Sequence, residues 1–315
     1  MKIRNGQAGP FPVSSIGHLA HLALLPGTRG TVAAVFERSA YLCLSGSYVC
    51  LGVDSLGKGP LNVTTGIPVE LWKSLEFDRD MPAEIVPGSI RVGGKCLFEI
   101  TEVPVWSPPQ AAKPTWRSVD IGLRTLEEAA RTMVPTEGLG GYLFVRDRSE
   151  RGTNPVYNFA MVPVQKLKCW LEYVLLSPCE GDTPDPSSWY DLIGLGPGLT
   201  PSGDDLLCGA LLTLHQLGES ETAKRLFRPS ELELSRRTHA ISAAHLKAAA
   251  AGMGSEKIHA VLNAVLSGRN SRCRELLEDV GNVGHTSGWD ALAGMAIVCR
   301  AWINSEKHQQ NPEVH

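Results

Sequence analysis

The chain has 315 residues, of which 43% are hydrophobic and 20% are charged, as is typical of a globular protein with one large domain or two ordinary ones. Its formal net charge of −3 argues against nucleic acid or an anionic membrane as the main partner. No run approaches the roughly 18 apolar residues of a membrane-spanning helix, and no basic region followed by an apolar core opens the chain. We therefore expect a cytoplasmic protein.

The first part of the chain carries short β-branched or aromatic runs that are separated by turn residues. Such runs predict strands joined by hairpins, and strands at this spacing predict a small barrel or sandwich. The predicted strands are 31–36, 40–44, 48–53, 61–65, 84–86 and 95–103.

A stretch with four prolines, residues 104–114, predicts a linker, after which the periodicity becomes helical. Residues 142–145 after the glycine-rich 138–141 predict a strand or a ligand-facing loop. The fold class is therefore expected to be α+β, with a β-rich domain over 1–115 and a mainly helical domain over 116–315. The predicted helices are 119–133, 162–176, 223–226, 232–251, 256–266, 273–280 and 286–303.

The eight cysteines show no C-x-x-C pairing, and most of them lie within apolar runs. Buried reduced thiols account for that pattern better than disulfides or zinc ligands.

A glycine-rich loop, a polar cluster and an apolar run follow one another from Leu192 onward. Glycines such as Gly196 and Gly198 permit backbone angles closed to other residues, and they let a ligand approach the main chain. Ser202 with an acidic residue three positions later is typical of a capping box, so a helix should begin near Gly203.

The predicted helix is apolar on nearly every face until Gly218 ends it, which predicts a buried central helix. Two adjacent carboxylates, Asp204 and Asp205, stand at its start. A glycine-rich loop that opens a helix is the usual cradle for an anion, yet this one contains no lysine or arginine.

A second stretch repeats the pattern S-G-x-D-x-L-x-G without a gap, from Ser287 through Gly288 and Asp290 to Gly294. Small residues at Gly209 and Gly294 would let the two helices pack closely. We infer a pair of central helices whose N-termini converge on one pocket. The alternative is that S-G-x-D is simply a good helix start that is used twice.

Three interpretations of the adjacent carboxylates remain open. Mg²⁺ could bridge Asp204 and Asp205 to an anionic substrate, because it prefers hard oxygen ligands. The carboxylates could instead hold an amide or amino group while the loop amides bind the anionic end of the substrate. They could also be capping residues that favour the helix dipole and do nothing more.

His285, just before the second helix, is a candidate general acid or hydrogen-bond donor, although a loop histidine is often structural. Asp290 joins the aspartates as a candidate catalytic residue. Hydroxyl and backbone groups in both motifs could bind substrate, although each hydroxyl could equally be an N-cap. The candidate substrate-binding residues are Gly196, Gly198, Thr200, Ser202, Gly203, Thr286, Ser287 and Gly288.

The stretches Gly194-Leu-Gly-Pro-Gly-Leu-Thr-Pro-Ser-Gly-Asp-Asp205 and Gly284-His-Thr-Ser-Gly-Trp-Asp290 closely resemble two signatures of a bacterial family long labelled as of unknown function. That family includes one subunit of the oxamate carbamoyltransferase of anaerobic allantoin breakdown. Residues 59–63 and 238–249 resemble weaker family stretches, so the resemblance covers most of the chain. Leu206-Leu-Cys208 replaces an aromatic-bearing F-L-x, a departure that concerns packing more than chemistry.

The resemblance implies a subunit of a hetero-oligomeric carbamoyltransferase that acts on oxamate, oxalurate and carbamoyl phosphate in purine-nitrogen catabolism. Such substrates are small, anionic and amide-bearing, which suits a pocket with helix N-termini and carboxylates. Two competing functions are a non-catalytic subunit that binds partner proteins and a Mg²⁺-dependent hydrolase that acts alone.

Overall fold

The computed structural model of the chain describes residues 8–110, 113–144, 154–176, 186–269 and 272–310. The chain divides into two compact units, residues 1–108 and residues 109–315. Within the described residues, no helix is both long and apolar enough to cross a membrane.

The first unit is a closed barrel of eight strands with one further strand at its side. The barrel order is β5-β4-β3-β2-β6-β7-β8-β1, and β1 closes it by pairing with β5, while β9 pairs with β1. Two short helices, α1 (His18–Ala23) and α2 (Val69–Lys73), complete the unit. The strands are β1 Ala8–Gly17, β2 Arg29–Val35, β3 Ser39–Leu44, β4 Ser47–Val53, β5 Asn62–Thr65, β6 Pro82–Val86, β7 Ser89–Val92, β8 Cys96–Glu99 and β9 Val105–Trp106.

Aromatic side chains fill part of the interior of this unit. The ring of Phe98 lies 5.6 Å from that of Phe11 and 6.2 Å from that of Trp72, measured between centroids. β-Branched residues such as Val49 and Val63 are fully buried in the same apolar core. The observed barrel confirms the β-rich N-terminal half that the sequence predicts.

Three strands escape the sequence pattern, and one of them, β9, lies within the predicted linker 104–114. Strand β1 contains Pro10 and Pro12, which lack the N–H that a sheet ladder uses and therefore argue against a strand. Strand β7 has only four residues between turns. Strands β1 and β7 are both held by their neighbours: β1 pairs with β5, β8 and β9, and β7 pairs with β6 and β8.

The second unit is helical, with one continuous apolar core. Its two most buried long helices are α5 and α11, which confirms the prediction of two buried central helices. The helices are α3 Trp116–Ala130, α4 Pro155–Leu176, α5 Ser202–Leu217, α6 Ser220–Leu226, α7 Glu231–Arg237, α8 Ala240–Ala250, α9 Glu256–Ser267, α10 Cys273–Gly281 and α11 Ser287–Gln310.

The structure corrects three local expectations. Residues 232–251 form two helices rather than one, because the chain is extended at Thr238. Residues predicted as a strand or loop form the 3₁₀ turn Gly140–Leu143, and Val145 lies outside the described residues. The capping box at Ser202 is absent, since Pro201 is the N-cap residue and provides no side-chain cap.

The seven cysteines that lie in the described part of the chain are all free thiols. Four of them are buried, two are half-buried, and Cys169 on α4 is exposed. Cys179 lies outside the described residues.

Candidate functional site

Helices α5 and α11 cross with their backbones in contact. A methyl group added at Gly209 would lie 1.8 Å from the carbonyl oxygen of Ala291, and one added at Gly294 would lie 1.9 Å from that of Leu206. An offset of 85 residues relates Gly209 to Gly294 and also Leu206 to Ala291. The two motif copies are therefore arranged about an approximate two-fold axis at the crossing.

The same relation holds at the starts of the two helices. The Ser287 hydroxyl lies beside the carboxylate of Asp205, and the Ser202 hydroxyl lies beside that of Asp290. The Thr200 and Ser287 hydroxyl oxygens are 3.1 Å apart and share a hydrogen bond. Each motif copy thus supplies a hydroxyl to the aspartate of the other, and the two helix N-termini meet.

Asp204 is an internal anchor. Its Oδ1 accepts a 2.7 Å hydrogen bond from the Gly194 N–H, and its Oδ2 accepts from the hydroxyls of Thr238 and Ser242, the latter at 2.6 Å. Only 1% of its surface is exposed. Asp204 therefore ties the glycine-rich loop and the start of α8 to the first turn of α5.

Asp205 and Asp290 have unused acceptor capacity. The Oδ2 atoms of both are covered and accept no hydrogen bond from any residue that the structure describes. Asp290 is completely buried, whereas Asp205 keeps some accessible surface. These two oxygens are where a bound molecule would find acceptors that the protein leaves unused.

The charges of the three aspartates interact. Burial raises the pKa of Asp205 well above its usual range, and the carboxylates of Asp290 and Asp204 raise this pKa further, against the hydroxyls of Ser287 and Thr200. Burial also raises the pKa of Asp290 to about 6, despite the hydrogen bond from the Leu139 N–H. Both carboxyl groups therefore hold a proton more readily than an exposed aspartate does.

A third segment, the glycine-rich stretch 138–141, covers the Asp290 side of the site. The Leu139 N–H donates a 2.5 Å hydrogen bond to Asp290 Oδ1. Gly138 has φ of +70°, and a methyl group there would lie 2.7 Å from the same oxygen, so only glycine fits. The sequence predicts a strand or ligand-facing loop for the residues that follow, 142–145, and it does not indicate Asp290 as the partner of this stretch.

The glycine-rich loop before α5 has the backbone that its composition predicts. Gly194, Gly196 and Gly198 all have positive φ. A methyl group on Gly194 would lie 1.8 Å from the carbonyl oxygen of Arg237, whereas Gly198 is exposed and has no atom within 4 Å of that position. The loop therefore packs tightly at its start and is open near its middle.

Some helix-start amides are already used by the protein. The N–H of Gly203 donates to the carbonyl of Leu195 at 2.9 Å, and the N–H of Gly288 donates to that of Val283 at 3.3 Å. An anion at this site would thus depend on the loop backbone and the helix dipoles more than on these two amides.

His285 lies at the exposed edge of the site that the two helix N-termini form. Its side chain is 80% exposed, and its Nε2 lies 3.8 Å from a carboxylate oxygen of Glu137. Thr286, two residues after the exposed Gly284, is half-buried beside Asp290. Of the four predicted catalytic residues, His285 is the one that the structure leaves in solvent.

The metal prediction meets a specific obstacle. Both oxygens of Asp204 accept protein hydrogen bonds, so the adjacent pair cannot present two unused carboxylates to Mg²⁺. Across the described ranges, no group of three or more His, Cys, Asp or Glu side chains is placed to hold a metal ion. These carboxylates suit hydrogen-bond donors better than a bridging cation.

Three residues that complete the site were not predicted as parts of it: Thr238, Ser242 and Leu139. Thr238 and Ser242 are hydroxyl residues 34 and 38 positions from Asp204, and Leu139 contributes only its backbone N–H. The hydroxyl residues that follow Arg237 are the signal in the sequence that could have indicated Thr238 and Ser242. The Leu139 N–H is a backbone donor, and the identity of a side chain does not indicate such a donor in the sequence.

Residues 192–299 match the model of a protein family that is described as "Oxamate carbamoyltransferase subunit AllH". No solved structure matches the chain. The matched residues begin at the glycine-rich loop and end within α11, so they include both motifs, the crossing helices and the Asp204 anchor. Over these residues the chain is similar to the family of the oxamate carbamoyltransferase subunit AllH, the family that the two motifs indicate.

Proposed function

We propose that this protein is a subunit of a carbamoyltransferase-type enzyme that acts on small anionic amides, namely oxamate, oxalurate and carbamoyl phosphate, in purine-nitrogen catabolism. One observation carries the proposal: the covered Oδ2 atoms of Asp205 and Asp290 lack donors among the described residues where two helix starts meet. Leaving a buried acceptor unsatisfied costs about 1–3 kcal/mol. A ligand that donates N–H groups to these atoms recovers that energy.

A carbamoyl group has the matching chemistry. Its NH₂ group offers two donors, which suit the ionised Asp290 and one oxygen of Asp205. Burial raises the pKa of Asp205, and when its carboxyl is protonated it can donate its own hydrogen to the carbonyl oxygen of the ligand. The pair thus distinguishes a primary amide from a carboxylate, whose oxygens would be repelled by Asp290.

The carboxylate or phosphate end of such a ligand is assigned to the backbone of residues 196–200 and to the hydroxyls of Thr200 and Ser287. Asp204 holds that loop in place and has no oxygen left for the ligand. Thr286 and Ser202 orient Asp290. His285 at the exposed edge of the site is proposed to contact substrate or a partner subunit.

Partner subunits are part of the proposal, because the matched family is named for one subunit of an enzyme. The chain therefore contributes a binding site, and the other subunits are expected to complete the transfer reaction.

Thermal unfolding of the purified chain tests the ligand class. Oxamate, oxalurate, carbamoyl phosphate and phosphate are added separately, each with Mg²⁺ and with a chelator. A ligand at 100 times its Kd stabilises the folded state by about 2.7 kcal/mol, which raises Tm measurably. We expect amide-bearing anions to raise Tm equally with Mg²⁺ and with chelator, and phosphate to have a smaller effect.

The variants Asp205→Asn and Asp290→Asn should lose this shift, because an amide in place of a carboxylate presents donors to the NH₂ group of the ligand. Asp279→Asn, on the exposed side of α10, is the matched control. A shift that survives in both site variants would disprove the assignment of the site. A shift that requires Mg²⁺ would favour the metal-dependent alternative.

A further inference from the structure

Helix α4 exposes a stripe of side chains that is apolar near both ends of the helix. Phe159 is 74% exposed and Val162 is 62% exposed, and Met161, Tyr173 and Leu176 are exposed on the same helix. Five of the large hydrophobic side chains exposed in the described residues therefore lie on this one helix. Exposed apolar surface concentrated in one place is typical of an interaction site.

The stripe has the spacing of a helix-packing seam. Its positions are separated alternately by three and four residues, as in the a and d positions of a heptad. Other residues of α4, such as Leu167 and Leu171, are fully buried in the core, so the helix has a second, separate face. The seam positions are Phe159, Val162, Lys166, Cys169, Tyr173 and Leu176.

The seam has the same polarity pattern in both directions. Two apolar residues stand at each end, and Lys166 and Cys169 stand in the middle. In an antiparallel pair of identical helices, Phe159 of one copy lies opposite Leu176 of the other, and Val162 lies opposite Tyr173. A closed two-fold dimer requires a surface that is complementary to itself in this way.

The charges on this face agree with that arrangement. Glu172 adjoins the seam on its exposed side, and in the antiparallel register it lies within one helical turn of Lys166 of the other copy. The two-fold axis generates this pair twice. In a parallel pair, by contrast, the two copies of Lys166 would face each other in the middle of the seam.

A groove of about 450 Å³ opens beside the first half of the seam. Its lining includes Met161, Val162 and the stacked rings of Tyr142 and Tyr157, whose centroids are 4.2 Å apart. In the antiparallel register, Tyr173 of the other copy faces this groove. The groove can therefore accommodate a large apolar side chain of the second copy.

We propose that the exposed face of α4 is the interface of a two-fold dimer of this chain, in which two copies of α4 pack antiparallel through the seam. This inference is independent of the ligand at the aspartate site. The partner that covers this face of α4 is a second copy of the chain, because the apolar ends, the polar middle and the Lys166–Glu172 pair are all complementary to themselves.

Sedimentation of the purified full-length chain over a concentration series measures the dimer. We expect a dimer whose Kd increases roughly tenfold or more in Val162→Glu, as for an apolar residue that is buried in an interface. Ile121→Glu is the matched control: Ile121 is 57% exposed on α3 and lies outside the seam, so its dimer should be unchanged. Circular dichroism shows whether each variant is folded.

Charge reversal distinguishes a second copy from another partner. Lys166→Glu alone and Glu172→Lys alone should each weaken the dimer, because each places like charges together twice. A mixture of the two single variants should form a mixed dimer, and the double variant K166E/E172K should dimerise as the wild type does.

A chain that stays monomeric at every concentration overturns the proposal. So does equal weakening by Val162→Glu and Ile121→Glu, or failure of the double variant and of the mixture to restore the dimer. Binding of a different protein to a monomeric chain through this face would also overturn the second copy as its occupant.

Discussion

The Cα atom of Gly209 lies so close to the carbonyl oxygen of Ala291 that an added methyl group would be 1.8 Å away. Alanine is favoured over glycine within a helix by about 1 kcal/mol, but the contact here is with backbone, which cannot rotate aside. We expect Gly209→Ala, and its counterpart Gly294→Ala, to lower the free energy of unfolding by about 1–3 kcal/mol. Urea unfolding measures the change.

Gly281 at the end of α10 provides the control for that prediction. An added methyl group there has its closest neighbours, atoms of the Trp289 ring, at 3.6 Å, an ordinary contact. Gly281→Ala should leave stability unchanged or slightly higher. Equal destabilisation at Gly281 and Gly209 would show that the close helix crossing is not the cause.

Asp204 should matter more for stability than for ligand chemistry. Asp204→Ala leaves the Gly194 N–H and the hydroxyls of Thr238 and Ser242 without their acceptor, so we expect a loss of roughly 2–4 kcal/mol. Ser242→Ala removes one donor and should cost about 1 kcal/mol. Ser235→Ala is its control, since Ser235 is exposed and bonds only a nearby carbonyl.

Hydrogen exchange locates the effect of the Asp204 substitution. Amides of the glycine-rich loop and the start of α8 should exchange faster in Asp204→Ala, because both segments lose their common anchor. Unchanged exchange there would contradict the anchoring role.

The raised pKa of Asp290 predicts the sign of a pH dependence. Because its pKa rises from 3.8 in the reference state to about 6 on folding, the folded state retains a proton that the unfolded chain releases. The stabilisation is fully present below about pH 3.8 and is lost as pH rises through 6. A shift of this size corresponds to about 3 kcal/mol. The raised pKa of Asp205 contributes with the same sign.

Comparison with Asp290→Asn isolates this contribution. Burial lowers the pKa of His245 and His259 from 6.5 to about 4. The pH dependence from these two histidines has the opposite sign, because it destabilises the fold as pH falls from 6.5 to about 4. Both histidines remain in the variant, so their effect cancels in the difference. Relative to the variant, the wild type should lose stability between about pH 4 and pH 7. A flat difference would contradict the raised pKa.

Arg300 on α11 should hold the turn that covers Asp290. It donates to Glu127 Oε1 at 2.5 Å, to the Tyr142 carbonyl at 3.2 Å and to the Leu143 carbonyl. Arg300→Met leaves Glu127 largely buried without its partner, and we expect a cost of roughly 2–4 kcal/mol because the pair is about four-fifths covered. The Leu139 amide should exchange faster as well.

A double-mutant cycle with Glu127→Gln tests whether the ion pair is responsible. The double variant should cost less than the sum of the two single changes, since the remaining partner is no longer an unpaired charge. Additive losses would show that Arg300 acts only through the two carbonyls.

The repeat of S-G-x-D-x-L-x-G is visible in the sequence alone, and it locates the site. Gly209 and Gly294 predict close helix packing, and the structure places both at the crossing. The short β-branched or aromatic runs and the apolar run after Gly203 are local patterns of the sequence. The β-rich half and the buried helices follow from them. Strand β1 does not follow, because its prolines are tolerated only through the partners that it meets in the closed barrel.

The sequence could not divide the roles of Asp204 and Asp205. The two residues are adjacent and chemically identical, and a helix turns about 100° per residue, so they face different surroundings. Asp204 meets Gly194, Thr238 and Ser242, while Asp205 faces Asp290 and the hydroxyls of the second motif. Local pattern and composition determined most of the helices and strands. Only the tertiary structure decided which carboxylate is anchored and which keeps an unused oxygen, because most of the partners of these carboxylates lie 34 to 85 residues away along the chain.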